Sequence, residues 1–171
     1  HVGIVSRTRF MRKQVLLKTV MLSTWKTDTH RGRLPAFLFN STNIENGAPL
    51  VFASTRYRPR RTNSSEAPQA MSFEDRYEHK FDIRVVTAVR MSASFPYVSP
   101  AARSNGYAMN APDWHLVDGG YYDNYGLFTL MDWLQDALED VPVKPKKIVI
   151  VRIISFPPGQ PVKGSGRGGG F

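Results

Sequence analysis

Cysteine is absent from the 171 residues of this chain. Its absence excludes a disulfide framework, a thiolate zinc site and a cysteine nucleophile within these residues. A chain without cysteine fits a reducing compartment. The length is enough for one domain with a sizeable apolar core.

Long apolar runs and several chemical motifs are also missing. No run approaches the ~18 apolar residues that span a bilayer, and no secretory signal is evident. No glycine begins a Gly-x-Ser-x-Gly nucleophile elbow. There is no Walker-A or His-Glu-x-x-His pattern and no Gly-x-Gly-x-x-Gly after a strand, and the four histidines are too dispersed to propose a metal site.

Negative charge is scarce at the N-terminal end. Residues 1–33 hold eight Lys/Arg against one Asp, a net of +7, whereas residues 81–145 hold four Lys/Arg against eight Asp/Glu, a net of −4. A basic end favours an anionic membrane surface or nucleic acid, but it is more often a solvated face. Because the basic residues are not regularly interleaved with aromatic ones, we expect no nucleic-acid partner.

The first half of the chain predicts one helix followed by a β-hairpin. Residues 10–22 predict a surface helix, because Phe10, Leu17 and Met21 recur at helical spacing. Residues 35–42 and 50–55 predict two strands. The Asn46-Gly47 pair between them is a strong turn signal. Residues 56–70 are rich in Arg, Pro and Ser and predict a loop.

The second half predicts a helix followed by a βαβ unit. Asp82 is expected to cap a helix over residues 83–93. Residues 114–117 predict a short strand, and residues 127–138 predict an amphipathic helix. The apolar run over residues 148–154 is typical of a parallel strand that is covered on both faces. Strand, helix and strand in this order predict a right-handed crossover between two parallel strands.

Asp118 is the leading candidate for a catalytic group. The βαβ interpretation places it at the carboxyl end of a strand, where sites form in open α/β sheets. Gly119 and Gly120 remove side chains, so a substrate or a second catalytic group can approach the backbone. A carboxylate held there can act as a general base. An Asp-Gly-Gly triplet is also a plain turn, and on position alone the turn is the more frequent case.

Other polar residues near Asp118 carry weaker signals. His115 is expected to be a surface or packing residue rather than a catalyst. Asp123-Asn124 precedes the helix and is expected to cap it. Ser92, Ser94 and Ser99 lie near prolines, and none has the surroundings of a nucleophile elbow.

Three segments in order resemble the patatin-like phospholipase family. Asp118-Gly119-Gly120, followed by Asp123-Asn124-Tyr125-Gly126, resembles the Asp-Gly-Gly/Ala block of that family. Residues 87–96 resemble its Ala/Ser-rich helix and the Pro-containing loop that follows. Residues 39–47 resemble its preceding strand and turn. Together they cover about residues 35–154; the chain departs from the family's common Asn-Asn-Pro ending, which here reads Asp123-Asn124-Tyr125.

The resemblance implies a three-layer α/β/α fold and a Ser–Asp dyad without histidine. The dyad aspartate maps to Asp118, with Gly119, Gly120 and Asn124 as motif residues around it. The implied reaction is hydrolysis of a lipid or phospholipid ester, and it requires no metal or cofactor. The elbow serine and the glycine-rich oxyanion loop would lie before residue 1, so the fold is expected to be incomplete, with its nucleophile half absent.

The resemblance makes residues 1–171 the C-terminal portion of one patatin-like domain. It would comprise a basic segment (1–33), a core (34–155) and a flexible Pro/Gly-rich tail (156–171). We expect this portion to be inactive alone, and to lie in the cytoplasm or at the periphery of a membrane. Two alternatives stay open: a non-catalytic basic α/β module that binds an anionic membrane surface, and a plain α/β domain in which Asp118 only caps a turn.

Overall fold

The computed structural model describes residues 19–60, 69–77, 80–103 and 114–153. Its strands are β1 (Leu38–Asn43), β2 (Pro49–Ala53), β3 (Met71–Ser72), β4 (Ala102–Arg103) and β5 (His115–Asp118). Its helices are α1 (Leu22–His30), α2 (Phe73–Arg76), α3 (Val85–Ser92), α4 (Gly120–Asp123) and α5 (Leu127–Asp140). Among the described residues, no helix combines the length and the apolar character that crossing a membrane requires.

The five strands form one mixed sheet in the order β3-β2-β1-β5-β4. β2 and β3 are parallel, and every other neighbouring pair is antiparallel. The β1–β2 hairpin confirms the predicted strand pair. Its turn is closed as Asn46-Gly47 predicts: Gly47 has φ of 68° and donates its N–H to the Asn43 carbonyl over 2.9 Å.

Apolar residues cover both faces of the sheet, which confirms the α/β fold. Because side chains alternate along β2, its residues divide between two clusters. One face carries Leu22 of α1, Leu50, Phe52, Ile83, Val85 and Ala88 of α3, and Leu116. The other face carries Val51, Ala53 and Tyr57, with Leu38 and Trp133 of α5 packed against them. The sheet therefore lies between α1 and α3 on one side and α5 on the other, in three layers.

The predicted helix over residues 10–22 ends earlier than the sequence predicts. Residues 10–18 lie outside the described residues, as does the tail 156–171. Thr19 is helical, Val20 and Met21 are not, and a second helix, α1, begins at Leu22. The cause is a nonlocal pairing: Met21 forms a β-bridge with Arg84, and Leu22 donates its N–H to the Ile83 carbonyl over 2.8 Å.

Asp82 caps a different helix from the one predicted. The predicted helix 83–93 is present as α3, but its N-cap is Arg84, which makes no side-chain cap bond. The Asp82 carboxylate instead accepts hydrogen bonds from the backbone N–H and the hydroxyl of Ser23, in the first turn of α1. Asp82 therefore ties α1 to the segment that leads into α3.

The predicted parallel strand over residues 148–154 is wrong for its described part. Residues 148–153 form no strand and are exposed, Val151 by 78 % and Ile153 by 89 %. There is consequently no βαβ unit with β5. The reason is that both sides of β5 are occupied. β1 pairs along one side and β4 along the other, where the Asp118 N–H also donates to the Ser94 carbonyl over 2.8 Å.

α5 confirms the predicted helix 127–138 and fixes the loop that follows β2. Three arginines of that loop make ion pairs with acidic residues of α5: Arg56 with Asp140, Arg58 with Asp136 and Asp140, and Arg60 with Glu139. Tyr57 lies between them, is 4 % exposed, and donates its hydroxyl to Asp132 Oδ2 over 2.9 Å. Burial raises the pKa of Tyr57, and the Asp132 charge raises it further.

Tyr57→Phe is expected to lower the free energy of unfolding by about 2 kcal/mol near pH 7, because it removes a hydrogen bond to a charged acceptor. The folded pKa of Tyr57 is raised, so its contribution is complete below the unfolded value of about 10 and is lost as pH rises above it. The difference between wild type and variant should therefore shrink above about pH 10. Urea denaturation measures both effects, and Tyr97→Phe, at a site that is 90 % exposed, is the matched control.

A close backbone approach sets the end of β5 against β1. A Cβ on Gly119 would lie 2.5 Å from both the Cβ and the backbone oxygen of Asn40. These atoms belong to the middle of β1 and cannot move without shifting the strand. Gly119 is therefore required for the sheet to close at this point.

Gly119→Ala is expected to destabilise the fold by about 2 kcal/mol or more, because the strand must shift to admit the methyl group. Gly120→Ala is the matched control. The atoms nearest to its Cβ would belong to the side chains of Asp118 and Asn124, which can move, so its stability should stay much closer to wild type. Equal urea midpoints for Gly119→Ala and wild type would show that the approach is not a packing constraint.

Candidate functional site

Asp118 ends β5, and Gly119 and Gly120 turn the chain into α4. Asp118 therefore lies at the carboxyl end of a strand, as the sequence predicts. The half-buried Asp118 side chain lines an open cleft of about 200 Å³ with Phe95, Gly120, Tyr121 and Asn124. A carboxylate in this position can meet a group that enters from solvent.

Hydrogen bonds hold the Asp118 backbone from two sides. Its N–H donates to the Ser94 carbonyl over 2.8 Å, and its carbonyl accepts from Thr42 Oγ1 over 3.1 Å. The next N–H, of Gly119, donates to the Ser92 carbonyl over 3.3 Å. Ser92 and Ser94 therefore contribute through their backbone, and the Ser94 hydroxyl is itself bound to the Arg90 carbonyl at 2.7 Å.

The Asp118 side chain also closes the turn that follows it. Oδ1 accepts the Gly120 N–H over 2.6 Å, a local carboxylate-to-backbone bond that short acidic side chains commonly make. Asp118 therefore does stabilise the Asp-Gly-Gly turn, which is the structural alternative to a catalytic role. This bond occupies one oxygen only, because the described residues provide no hydrogen-bond partner for Oδ2.

Gly120 and Asn124 shape the cleft beside the carboxylate. A Cβ on Gly120 would lie 2.8 Å from Asp118 Oδ1 and 3.1 Å from Asn124 Oδ1. A side chain there would push the carboxylate aside. Asn124 is exposed and lines the same cleft, so the structure brings together all four residues that the sequence singled out.

The sequence predicts that Asp123-Asn124 caps the helix that follows, α5. Asp123 makes the capping hydrogen bonds, and Asn124 makes none of them. Asp123 is 6 % exposed, and its two oxygens accept the N–H groups of Leu127 and Thr129 over 2.9 and 3.0 Å. An acidic group here also interacts favourably with the positive end of the α5 dipole. Asp123 additionally donates its own N–H to the Gly119 carbonyl over 2.8 Å, so α5 and the Asp118 turn are positioned together.

His115 lies at the opposite end of β5 from Asp118 and pairs with Glu45. The two side chains meet at 2.7 Å, and the His115 N–H also donates to the Glu45 carboxylate. Desolvation by itself raises the pKa of Glu45, but the hydrogen bonds from His115 outweigh it, and the pKa is lowered overall. His115 is thus half-buried and paired with Glu45, which agrees with the expected surface or packing role.

Exposed aromatic residues border the cleft. The Phe95 ring stacks on Tyr121 with centroids 5.8 Å apart, and Tyr97 lies 5.7 Å from Phe95. All three side chains are substantially exposed. Tyr125 lies nearby in sequence and carries the Arg152 guanidinium 4.6 Å from its ring centroid. The cleft thus combines one carboxylate with an apolar border, an arrangement suited to a substrate that is largely apolar.

Sequence reasoning missed two residues of β1 that lie against the site. Asn40 contacts Gly119, and Ser41 is the cross-strand neighbour of Asp118. Both follow from the pairing of β1 with β5, which no local sequence signal reveals.

Comparison with known proteins gives one match. The family model described as patatin-like phospholipase matches residues 6–131, a stretch that includes the β1–β2 hairpin, α3 and the Asp118 turn. Neither the curated proteins nor the solved structures gave a significant match. Because the matched residues make up most of the chain, the chain belongs to the patatin-like phospholipase family, and this membership suggests a lipid-hydrolase type of function.

Proposed function

We propose that this chain supplies the catalytic aspartate, Asp118, of a lipid acyl hydrolase that cleaves carboxylic esters of phospholipids or lysophospholipids. The observation that carries the proposal is the position of Asp118 at the carboxyl end of β5, with its side chain lining an open cleft. The nucleophile is a serine in a Gly-x-Ser-x-Gly elbow outside residues 1–171, since the sequence contains no such elbow. The dyad works without histidine, metal or cofactor.

The reaction proceeds by acyl transfer in two steps. Asp118 accepts the proton of the serine hydroxyl while the serine oxygen attacks the ester carbonyl. Asp118 then gives that proton to the leaving alcohol, and an acyl-serine remains. A water molecule, deprotonated by Asp118, attacks the acyl-serine. Asp118 returns that proton to the serine oxygen as the fatty acid leaves, which regenerates the serine hydroxyl and the free carboxylate. Backbone N–H groups of an oxyanion loop stabilise the negative oxygen in both steps.

Two features of the described site support a lipid ester as substrate. The exposed aromatic side chains of Phe95 and Tyr121 line the cleft, and the exposed Tyr97 ring lies against Phe95. Tyrosine and phenylalanine side chains suit a boundary between an apolar phase and water. A protein that draws a lipid from such a boundary would act at the periphery of a membrane, which is the location we propose.

The ion pairs disfavour a non-catalytic basic module, as far as the described residues extend. Lys26 binds Glu74 at 2.6 Å, and Arg33 pairs with Asp28. Arg56, Arg58 and Arg60 are paired with acidic residues of α5. These five basic residues are thus paired within the chain.

Asp118→Asn is expected to lower ester hydrolysis by at least 10²–10⁴-fold, because an amide cannot accept the serine proton. Asparagine keeps a side-chain oxygen for the Gly120 N–H, so the turn should survive. The assay uses the chain joined to the sequence encoded upstream of His1, with a short-chain lysophospholipid as substrate and circular dichroism as the folding check. The chain of 171 residues alone should show no turnover.

His115→Ala is the control for this assay, since His115 lies on the same strand but away from the cleft and should leave turnover nearly unchanged. A folded Asp118→Asn protein with wild-type turnover, or a large loss in His115→Ala alone, would replace the dyad with a histidine-based mechanism.

Gly120→Ala is expected to lower kcat by about 100-fold with little loss of stability. The added methyl group would lie within 2.8 Å of Asp118 Oδ1 and displace the carboxylate, and a misplacement of about 1 Å costs on that order. The comparison of kcat with the urea midpoint separates this variant from Gly119→Ala, in which stability should fall. Unchanged kcat in Gly120→Ala would show that the carboxylate position is not critical.

A further inference from the structure

A buried hydroxyl without a partner lies beside Asp118. Ser41 of β1 has 0 % of its surface exposed, and the described residues give its Oγ no hydrogen-bond partner. Buried polar atoms in folded proteins are nearly always hydrogen-bonded, so an orphan of this kind calls for an explanation.

The strand register brings Ser41 and Asp118 face to face. The two residues are direct cross-strand partners in the β1–β5 ladder. The Asp118 N–H points away from β1 and donates to Ser94, so this is a non-hydrogen-bonded pair. In such pairs the Cα atoms are about 4.5 Å apart and the side chains are in their closest arrangement.

Both side chains lie on the same face of the sheet. Directly paired residues share a face, and Asp118 shares its face with Leu116, two residues earlier. Leu116 belongs to the core cluster against which Phe39, two residues before Ser41, also packs. The hydroxyl and the carboxylate are therefore within reach through rotation about one Ser41 side-chain bond.

We propose that the Ser41 hydroxyl donates a hydrogen bond to the Asp118 carboxylate and thereby orients it for the hydrolysis proposed above. The bond uses the oxygen that Gly120 leaves free. A carboxylate oxygen can accept two hydrogen bonds, so Oδ2 keeps one direction for the proton of the nucleophile. The catalytic part of this inference rests on the proposed function, whereas the hydrogen bond itself does not.

Ser41 is a positioning residue and not the nucleophile. It is completely buried in the middle of a strand, where no ester carbonyl can reach it. Its role is to fix the plane of the carboxylate together with the Gly120 N–H. Two donors from two different elements, β1 and the Asp118 turn, then hold one side chain.

The first experiment tests the hydrogen bond on the chain itself. Protein with ¹³C-labelled aspartate is compared by NMR for wild type, Ser41→Ala and Ser54→Ala. Ser54, which directly follows β2, is the matched control. It is also 0 % exposed, but its Oγ accepts the N–H of Phe37, which directly precedes β1 at the end remote from Asp118. Ser41→Ala should move the Asp118 carboxyl resonance, and Ser54→Ala should leave it in place.

A crystal structure of the wild-type chain provides a measurement that needs no variant. The Ser41 Oγ to Asp118 carboxylate distance should fall between about 2.5 and 3.0 Å, the range of such hydrogen bonds. An unmoved resonance in folded Ser41→Ala, or a distance beyond 3.5 Å, overturns the proposal. In either case the Ser41 hydroxyl would have no hydrogen bond with Asp118, and removing it would cost no such interaction.

Kinetics test the positioning role in the active protein described under the proposed function. Ser41→Ala should lower kcat about 10-fold with KM nearly unchanged, and Ser41→Thr, which retains the hydroxyl, should recover most of that loss. Unchanged kcat with a confirmed hydrogen bond rejects the positioning role. An absence of hydrolysis in wild type as well rejects the proposed function and leaves the hydrogen bond to be judged by the NMR result.

Discussion

The antiparallel pairing of β1 with β5 is the constraint on which the candidate site depends. It joins segments that are far apart in sequence: Thr42 of β1 and Asp118 of β5, which are hydrogen-bonded, are separated by 76 residues. The pairing brings Asn40 against Gly119, so that a glycine is required there, and it places Ser41 opposite the carboxylate. Closing so long a loop costs conformational entropy, which the burial of Leu116 and Val117 in this ladder offsets in part. The site is therefore a product of the sheet rather than of its own loop.

Elements with a local signal could be predicted from the sequence. The Asn46-Gly47 turn sets φ above zero where the hairpin needs it, so both flanking strands were found, with bounds shifted by one to three residues. α5 was found because its apolar residues repeat at the helical period. The strand ending at Asp118 was found because two glycines interrupt it. In each case a few neighbouring residues carry the information, and the same residues decide the local structure.

Features that depend on a distant partner could not be predicted. The apolar run 148–153 has the composition of a strand, but composition does not supply a neighbour, and β5 has both sides occupied. Asp82 has the residue type of a cap, yet the helix it caps is α1 and not the one that follows it in sequence. No local sequence signal distinguishes Ser41 from other serines near a strand end. Only the β1–β5 register places it beside Asp118.

The structural and the catalytic interpretations of Asp118 do not exclude each other. Holding the turn requires an oxygen that accepts the Gly120 N–H, and Oδ1 does so. Accepting a proton requires a second oxygen with a free direction toward the cleft, and Oδ2 remains for it. The turn bond fixes where the carboxylate can point, and a base held in a fixed direction loses less entropy when it meets its partner. A carboxylate that caps its own turn is thus better prepared for proton transfer than one on a free side chain, which is why a plain Asp-Gly-Gly turn is also a sound scaffold for a general base.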